Sequence, residues 1–327
     1  MRARARGVVL AVAVALAMAG LAGCAGAGGK ISPDSDDMYP VKIGYTSPGA
    51  GYSDLYVAAD YGIFAKHGLK AQLVRLNGSS QLVAGLASGT VEIGVGVTQD
   101  SAAAILKGAN LKFVAMSEPH YNLEMWAHPS ITSVRGLKGK KVAITSPGSE
   151  SDFGLTDLLR SNGMTRDDVT VVFVKSVPAE VSALGSNAVS AILTQPPQGT
   201  QTREKGAVRL AELSNMDFPL GSYTVQSRLL DVNREVVKRF VAAEGDALQY
   251  LRSHEADTES SIQKYTGVTD PALAKYAYDF FLNVWARTPV VDTKLIEQAF
   301  REAAANAHTT PPPDVTKYID STLTDNP

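Results

Sequence analysis

Apolar and polar positions alternate over residues 41–46, the period of a covered strand, and from 55 to 67 the apolar spacing becomes that of a helix, stopped by Gly68. The same exchange of periods continues along the chain. It predicts a strand over 70–76, a helix over 79–87 ended by Ser88-Gly89, a strand over 91–97, a helix over 99–107 and a strand over 112–117. Such βα units with short connections predict a mostly parallel sheet covered on both faces.

The rhythm breaks at a strand over 123–127 and an irregular stretch over 133–139, then restarts. Strands over 141–145, 170–175 and 188–193 enclose helices over 152–162 and 179–184, so two α/β units in series are expected. From residue 234 onward the pattern is helical, with helices over 234–253, 272–285 and 293–307. Pro311-Pro312-Pro313 then sets off a last short helix.

The amino-terminal residues follow a different pattern. Arg2, Arg4 and Arg6 precede an uncharged apolar run over 8–21, the layout of a secretory signal. The run is shorter than the roughly 20 residues a helix needs to span a bilayer. Leu21-Ala22-Gly23-Cys24 looks like a bacterial lipobox, which makes Cys24 the expected lipidated first residue after cleavage. Residues 1–23 are then the signal, and 24–38, rich in Gly, Ser and Asp, a flexible tether that holds the protein at the extracytoplasmic face of the cell membrane.

Composition narrows the classes. Cys24 is the single cysteine of 327 residues, which excludes an intrachain disulfide, a CxxC redox pair and a four-cysteine zinc site. The formal charge of −2 becomes −5 without the three signal arginines, which argues against nucleic acid as a partner. Roughly 290 residues beyond the tether exceed the usual single domain of about 100–150, so two lobes are expected.

Four segments carry a resemblance. VKIGYTSPGAGYSDLY from Val41, AADYGIFAKHG from Ala58, GSSQLVAGLASG from Gly78 and LKGKKV from Leu137 are similar to successive motifs of the periplasmic-binding-protein-like class II solute receptors. The nearest branch is the nitrate, sulfonate and taurine group together with the thiamine-pyrimidine-precursor proteins. The resemblance covers residues 41–176 and extends more weakly to about residue 252. It implies an α/β, two-lobed periplasmic-binding-protein-like II fold with the ligand cleft between the lobes and the C-terminal helices packing back on the first lobe. The expected division is 39–130 for the first part of lobe 1, 131–222 for lobe 2 and 223–327 for the return. The resemblance also implies a monomeric receptor that serves an ABC permease and ATPase. The stretch Asn187-Ala188-Val189-Ser190-Ala191 departs from the Gly-x-Val-Asp-Ala pattern frequent in that family.

In an open α/β sheet the loops after the carboxyl ends of the strands converge on a crevice where helix amino termini present free N–H groups. Those loops offer Ser47, Gly49, Gly51, Tyr52 and Ser53 after the first strand. After the second come Gly78, Ser79, Ser80 and Gln81, and after the third Thr98, Gln99 and Asp100. The second unit offers Ser146, Gly148, Ser149, Glu150, Thr194 and Gln195. Each hydroxyl or amide also reads as an ordinary helix cap. Tyr52 and Tyr121 are the expected aromatic contacts, whereas Tyr45, Trp126 and Trp285 lie in regular segments and are expected in the core.

No Lys or Arg falls on these loops, whereas Asp54, Asp100, Glu118, Glu150 and Asp152 lie on or beside them. Adjacent carboxylates disfavour an anion, so the expected ligand is neutral or weakly cationic and ring-containing, such as a pyrimidine. A sulfonate, nitrate or taurine receptor is the alternative, since helix amino termini alone can bind an anion. A solvent-facing position for the acids is also open. An enzyme on the same fold and a sensor-coupled receptor are the other classes. The chain carries no G-x-S-x-G elbow, P-loop or dinucleotide fingerprint, and His120 and His128 have no metal-ligand spacing, so no catalytic residue, metal or cofactor is expected.

Overall fold

A computed structural model describes residues 29–323; the signal run, Cys24 and the first tether residues lie outside them. In β1 (Tyr39–Tyr45), Val41, Ile43 and Tyr45 are buried on one face while Lys42 is exposed. The helical run that follows is divided into α1 (Ser53–Asp60) and α2 (Ile63–Lys66), not continuous as expected. Gly62 between them adopts φ 71°, a left-handed conformation open to glycine and closed to a continuing helix. Next come β2 (Leu69–Arg75), α3 (Ser79–Ser88), β3 (Ile93–Val97), α4 (Thr98–Leu106) and β4 (Leu111–His120).

The chain then enters a second sheet through β5 (Glu124–Ala127), β6 (Lys141–Ile144), α5 (Glu150–Ser161), β7 (Thr170–Phe173), α6 (Val177–Gly185), β8 (Ala191–Thr194) and β9 (Val208–Glu212). It returns to the first through β10 (Asp217–Gln226), followed by α7 (Ser227–Ser253), α8 (Glu255–Thr266), α9 (Pro271–Val284) and α10 (Thr293–Asn306). The strand orders are β2-β1-β3-β10-β4 and β7-β6-β8-β5-β9. Each sheet is parallel except for one strand, β10 or β5, which is the strand that enters from the other lobe.

This topology corrects the expected boundaries. The lobes exchange the chain at residues 121–123 and 213–216, not at 130/131 and 222/223. Segments 127–133 and 221–227, beside the expected boundaries, therefore lie inside the lobes. The stretch 133–139 looks like a linker but holds a 3-10 turn within lobe 2. β10 was hidden because Pro219 and Gly221 interrupt its pattern; the strand absorbs them at register shifts between Asp217 and Ser222. The two crossovers are bonded to each other, with Tyr121 N–H donating to Met216 O at 3.1 Å and Leu213 N–H to Leu123 O at 3.0 Å.

The C-terminal helices complete lobe 1. One face of its sheet is covered by α1, α2, α7, α8 and α9, the other by α3, α4 and α10. The described part of the expected tether is bound to lobe 1 and not free: Ile31 N–H donates to Asn233 Oδ1 at 2.7 Å, and Lys70 pairs with Asp34 at 2.8 Å. Among the described residues no helix is long and apolar enough to cross a membrane.

Candidate ligand-binding cleft

The loop after β1, the ends of β3, β4 and β10, the amino end of α5 and the loop after β8 close around a cavity of about 280 Å³ between the lobes. That is near the lower end of the roughly 300–1,000 Å³ usual for ligand pockets, and suits a single ring. Ile262 of α8, Val268 beyond it, and Ala277 and Phe281 of α9 form an apolar wall. Trp285 Nε1–H donates to Gly51 O at 3.0 Å and so holds the β1 loop from beneath.

Of the expected contacts, Ser47, Gly49, Gly51, Tyr52, Glu150 and Gln195 line this cavity. Gln99, Asp100, Gly148 and Ser149 line an adjoining chamber of about 440 Å³, which shares Val97 and Glu150 with the first. The others lie outside both. Ser53 is buried and donates to Ala50 O at 2.6 Å, and Thr98 is buried against Ser222 Oγ at 2.8 Å. Ser79 donates to Asp100, Gln81 Oε1 accepts from Asn77 N–H, and Gly78, Ser80 and Ser146 are exposed. Thr194 is buried at the end of β8. Tyr121 stacks on Phe218 with ring centroids 4.0 Å apart and donates to Asp157 at 2.8 Å, which places it in the lobe 2 core beside the crossovers. Tyr45, Trp126 and Trp285 are buried, as core positions should be.

A larger cavity, about 700 Å³, lies at the amino ends of β1 and β2 among Ile31, Pro40, Lys70 and Leu86. It is at the sheet edge opposite the one where ligands of open α/β sheets bind.

The inter-lobe cavity is acidic. Among the described residues that line it there is no Lys, Arg or His, but there are two carboxylates, Glu118 and Glu150. Glu150 Oε1 accepts from Asn122 N–H at 3.1 Å, and Oε2 from Gln195 Nε2 at 3.3 Å. Desolvation raises Glu150 to about 7 against these hydrogen bonds. Glu118 is more deeply enclosed, and its Oε2 has no hydrogen-bond partner. Desolvation, then the charges of Asp54 and Glu150, push it up to about 8 against the opposing pull of the Asn122 side chain.

Glycine makes room for this carboxylate: a Cβ on Gly51 would stand 2.5 Å from Glu118 Oε2, and one on Gly221 2.8 Å from Oε1. Beneath it, Tyr223 Oη donates to the buried Asp54 at 2.6 Å. Glu244 is raised well above its ordinary value by desolvation and by Asp54. Asp152, by contrast, pairs with Arg166 at 2.6 Å. Sequence reasoning placed Glu118 beside the cleft loops without naming it as a contact; a lone carboxylate in the apolar strand run before Pro119 was the available signal. Asn122, Gly221, Ile262 and Phe281 were missed because they come from the crossover, a hidden strand and the C-terminal helices.

The family described as NMT1/THI5 like matches residues 51–257. The chain belongs to that family. It is 28% identical over 272 residues to a binding protein of Brucella abortus, covering 76% of this chain and 83% of that one. A 4-amino-5-hydroxymethyl-2-methylpyrimidine phosphate synthase of Aspergillus parasiticus is 27% identical over 224 residues, covering 63% and 64%. In three dimensions the periplasmic aliphatic sulphonate binding protein SsuA of Escherichia coli superimposes with a TM-score of 0.71 at 20% identity, over 88% of this chain and 99% of that one. This NMT1/THI5-like chain therefore has the periplasmic-binding-protein fold.

Proposed function

We propose that the protein is an extracytoplasmic solute receptor, anchored through a lipidated Cys24, that delivers a small ring-containing molecule to an ABC permease and its ATPase. The ligand is neutral or weakly cationic and of the pyrimidine or thiamine-precursor kind. The observation that carries this reading is the enclosed cavity with Glu118 and Glu150 in its wall and no basic residue lining it. A nitrogen heterocycle with N–H donors satisfies those acceptors, and Phe281 and Tyr52 offer apolar faces to a ring. The similarity to the Brucella binding protein supports a binding role.

The second reading, an anion receptor, is favoured by the likeness to the sulphonate binding protein and by the amino end of α5 at the cleft. It requires an anion to sit beside two carboxylates. The Aspergillus relative's name is that of an enzyme; among the described residues no group of His, Cys, Asp and Glu could hold a metal ion.

A thermal-shift panel on the detergent-solubilised protein separates these readings, with 4-amino-5-hydroxymethyl-2-methylpyrimidine, taurine, an alkanesulfonate and nitrate as probes. A ligand at a hundredfold excess over Kd adds about 2.7 kcal/mol, or roughly 4–5 °C for a protein of this size. The pyrimidine is expected to stabilise. Stabilisation by a sulfonate or nitrate and not by the pyrimidine overturns the ligand class.

A further inference from the structure

We infer that Glu118 is the charge-reading residue of the cleft, and that a cationic ligand binds in exchange for the proton Glu118 carries when the cleft is empty. This inference rests on the ligand class proposed above and narrows it to compounds that present an N–H cation, such as an amidinium or a protonated aminopyrimidine.

Three geometric facts point to Glu118. Its Oε2 is buried and unpartnered, whereas both oxygens of Glu150 already accept hydrogen bonds from Asn122 and Gln195. It lines the cavity wall, and Gly51 and Gly221 leave space around it that any side chain would fill. The titratable groups acting on it or acted on by it are Asp54 from α1, Glu150 from α5, Tyr52 from the β1 loop and Tyr223 from β10, none of them cationic. A buried carboxylate among carboxylates holds its proton until a positive charge arrives. The burial and charges that raise Glu118 to about 8 act in that direction.

The balance is simple. A ligand already protonated in solution forms an ion pair with the Glu118 carboxylate, and the carboxyl proton leaves to the buffer. A weakly basic ring that arrives neutral accepts that proton on its ring nitrogen, and none is released.

Calorimetry on the detergent-solubilised protein at pH 7, in two buffers of different ionisation enthalpy, counts the protons. The probes are benzamidine, which stays protonated, and 4-amino-5-hydroxymethyl-2-methylpyrimidine. Benzamidine is expected to release about one proton and the pyrimidine fewer. Benzamidine affinity is expected to rise up to roughly tenfold per pH unit below about pH 8 and then level off. Glu118→Gln, which mimics the protonated carboxyl, should remove about one released proton and flatten the pH profile. Glu150→Gln should keep a Glu118-dependent proton release, with the levelling point moved below about pH 8 because the Glu150 charge is one of those that raise Glu118; it also reports on the fold if the first variant is unstable. Tight binding of benzamidine with no buffer dependence, and with a pH profile shared by wild type and Glu118→Gln, overturns the inference while the ligand class stands. Binding of sulfonate with no binding of either N–H probe overturns both.

Discussion

Tyr276 links the two lobes by a contact that can be weakened without touching the cleft. Its helix, α9, packs in the lobe 1 core through Ala274, Ala277 and Tyr278, yet the Tyr276 ring packs against the lobe 2 cluster of Trp126, Leu184, Val189 and Ile192. Tyr276 Oη donates to Oε1 of the fully buried Glu124 on β5, which also accepts from Arg209 Nη1 at 2.8 Å. The Arg203 guanidinium lies 5.0 Å from the Trp126 ring centroid and 5.3 Å from that of Tyr276.

Tyr276→Phe keeps the ring and its cation–π partners and removes two hydrogen bonds to charged groups, the one it donates to Glu124 and the one Oη accepts from Arg209 Nη1 at 3.2 Å. Such a bond contributes about 1.5–3 kcal/mol when fully desolvated. The half-buried phenol and the retained Arg209 pair bring the expected loss to about 1–2 kcal/mol, a factor of roughly 5–30 in the equilibrium between open and closed lobes. Because opening separates α9 from β5, the variant should populate a more open form without ligand. Small-angle scattering should show a larger radius of gyration, and ligand affinity should weaken by up to that factor. Unchanged affinity together with superimposable scattering curves would refute the latch, and with it the idea that lobe closure draws on contacts outside the cleft.

Removing the Glu118 carboxyl should change the pH dependence of stability. The folded protein holds this proton to about pH 8, against the ordinary value of 4.5. Both folded and unfolded chains are protonated below pH 4.5; as pH rises towards 8 only the unfolded chain loses the proton, so stability falls through that window and levels off above it. At about 1.4 kcal/mol per pH unit the upper bound is about 5 kcal/mol. The melting temperature of Glu118→Gln should therefore gain on wild type between pH 5 and 8, and parallel curves would contradict the assignment. Gly199→Ala should destabilise by about 1–3 kcal/mol in chemical denaturation, because a Cβ there overlaps the buried Trp126 indole; an unchanged midpoint would show that the loop yields. Cys24→Ser should move the protein from the membrane pellet to the soluble fraction after fractionation, and retention in the pellet would end the lipoprotein reading.

The uneven legibility of this chain has a physical basis. Parallel strands followed by amphipathic helices repeat a strong local pattern, so the βα units are foreshadowed by residues such as Val41, Ile43 and Leu55. The crossovers were misplaced because their signals are not local. β10 holds its place in lobe 1 by pairing with β3 and β4, which lie about a hundred residues upstream and can compensate for Pro219 and Gly221. The same non-locality governs the cleft. Ser53 and Thr98 belong to loops on the correct edge of the sheet, but their hydroxyls bond to Ala50 O and Ser222, the capping and packing use that such residue types serve with or without a ligand. Beyond its place in an apolar strand run, Glu118 is set apart by a tertiary fact, the approach of Gly51 from one loop and Gly221 from a hidden strand around an oxygen with no partner. A carboxylate in that position is costly to the folded chain. The cost has a physical rationale if a ligand supplies the missing donor, and for that reason the unpartnered oxygen bears on function more directly than the hydroxyl-rich loops do.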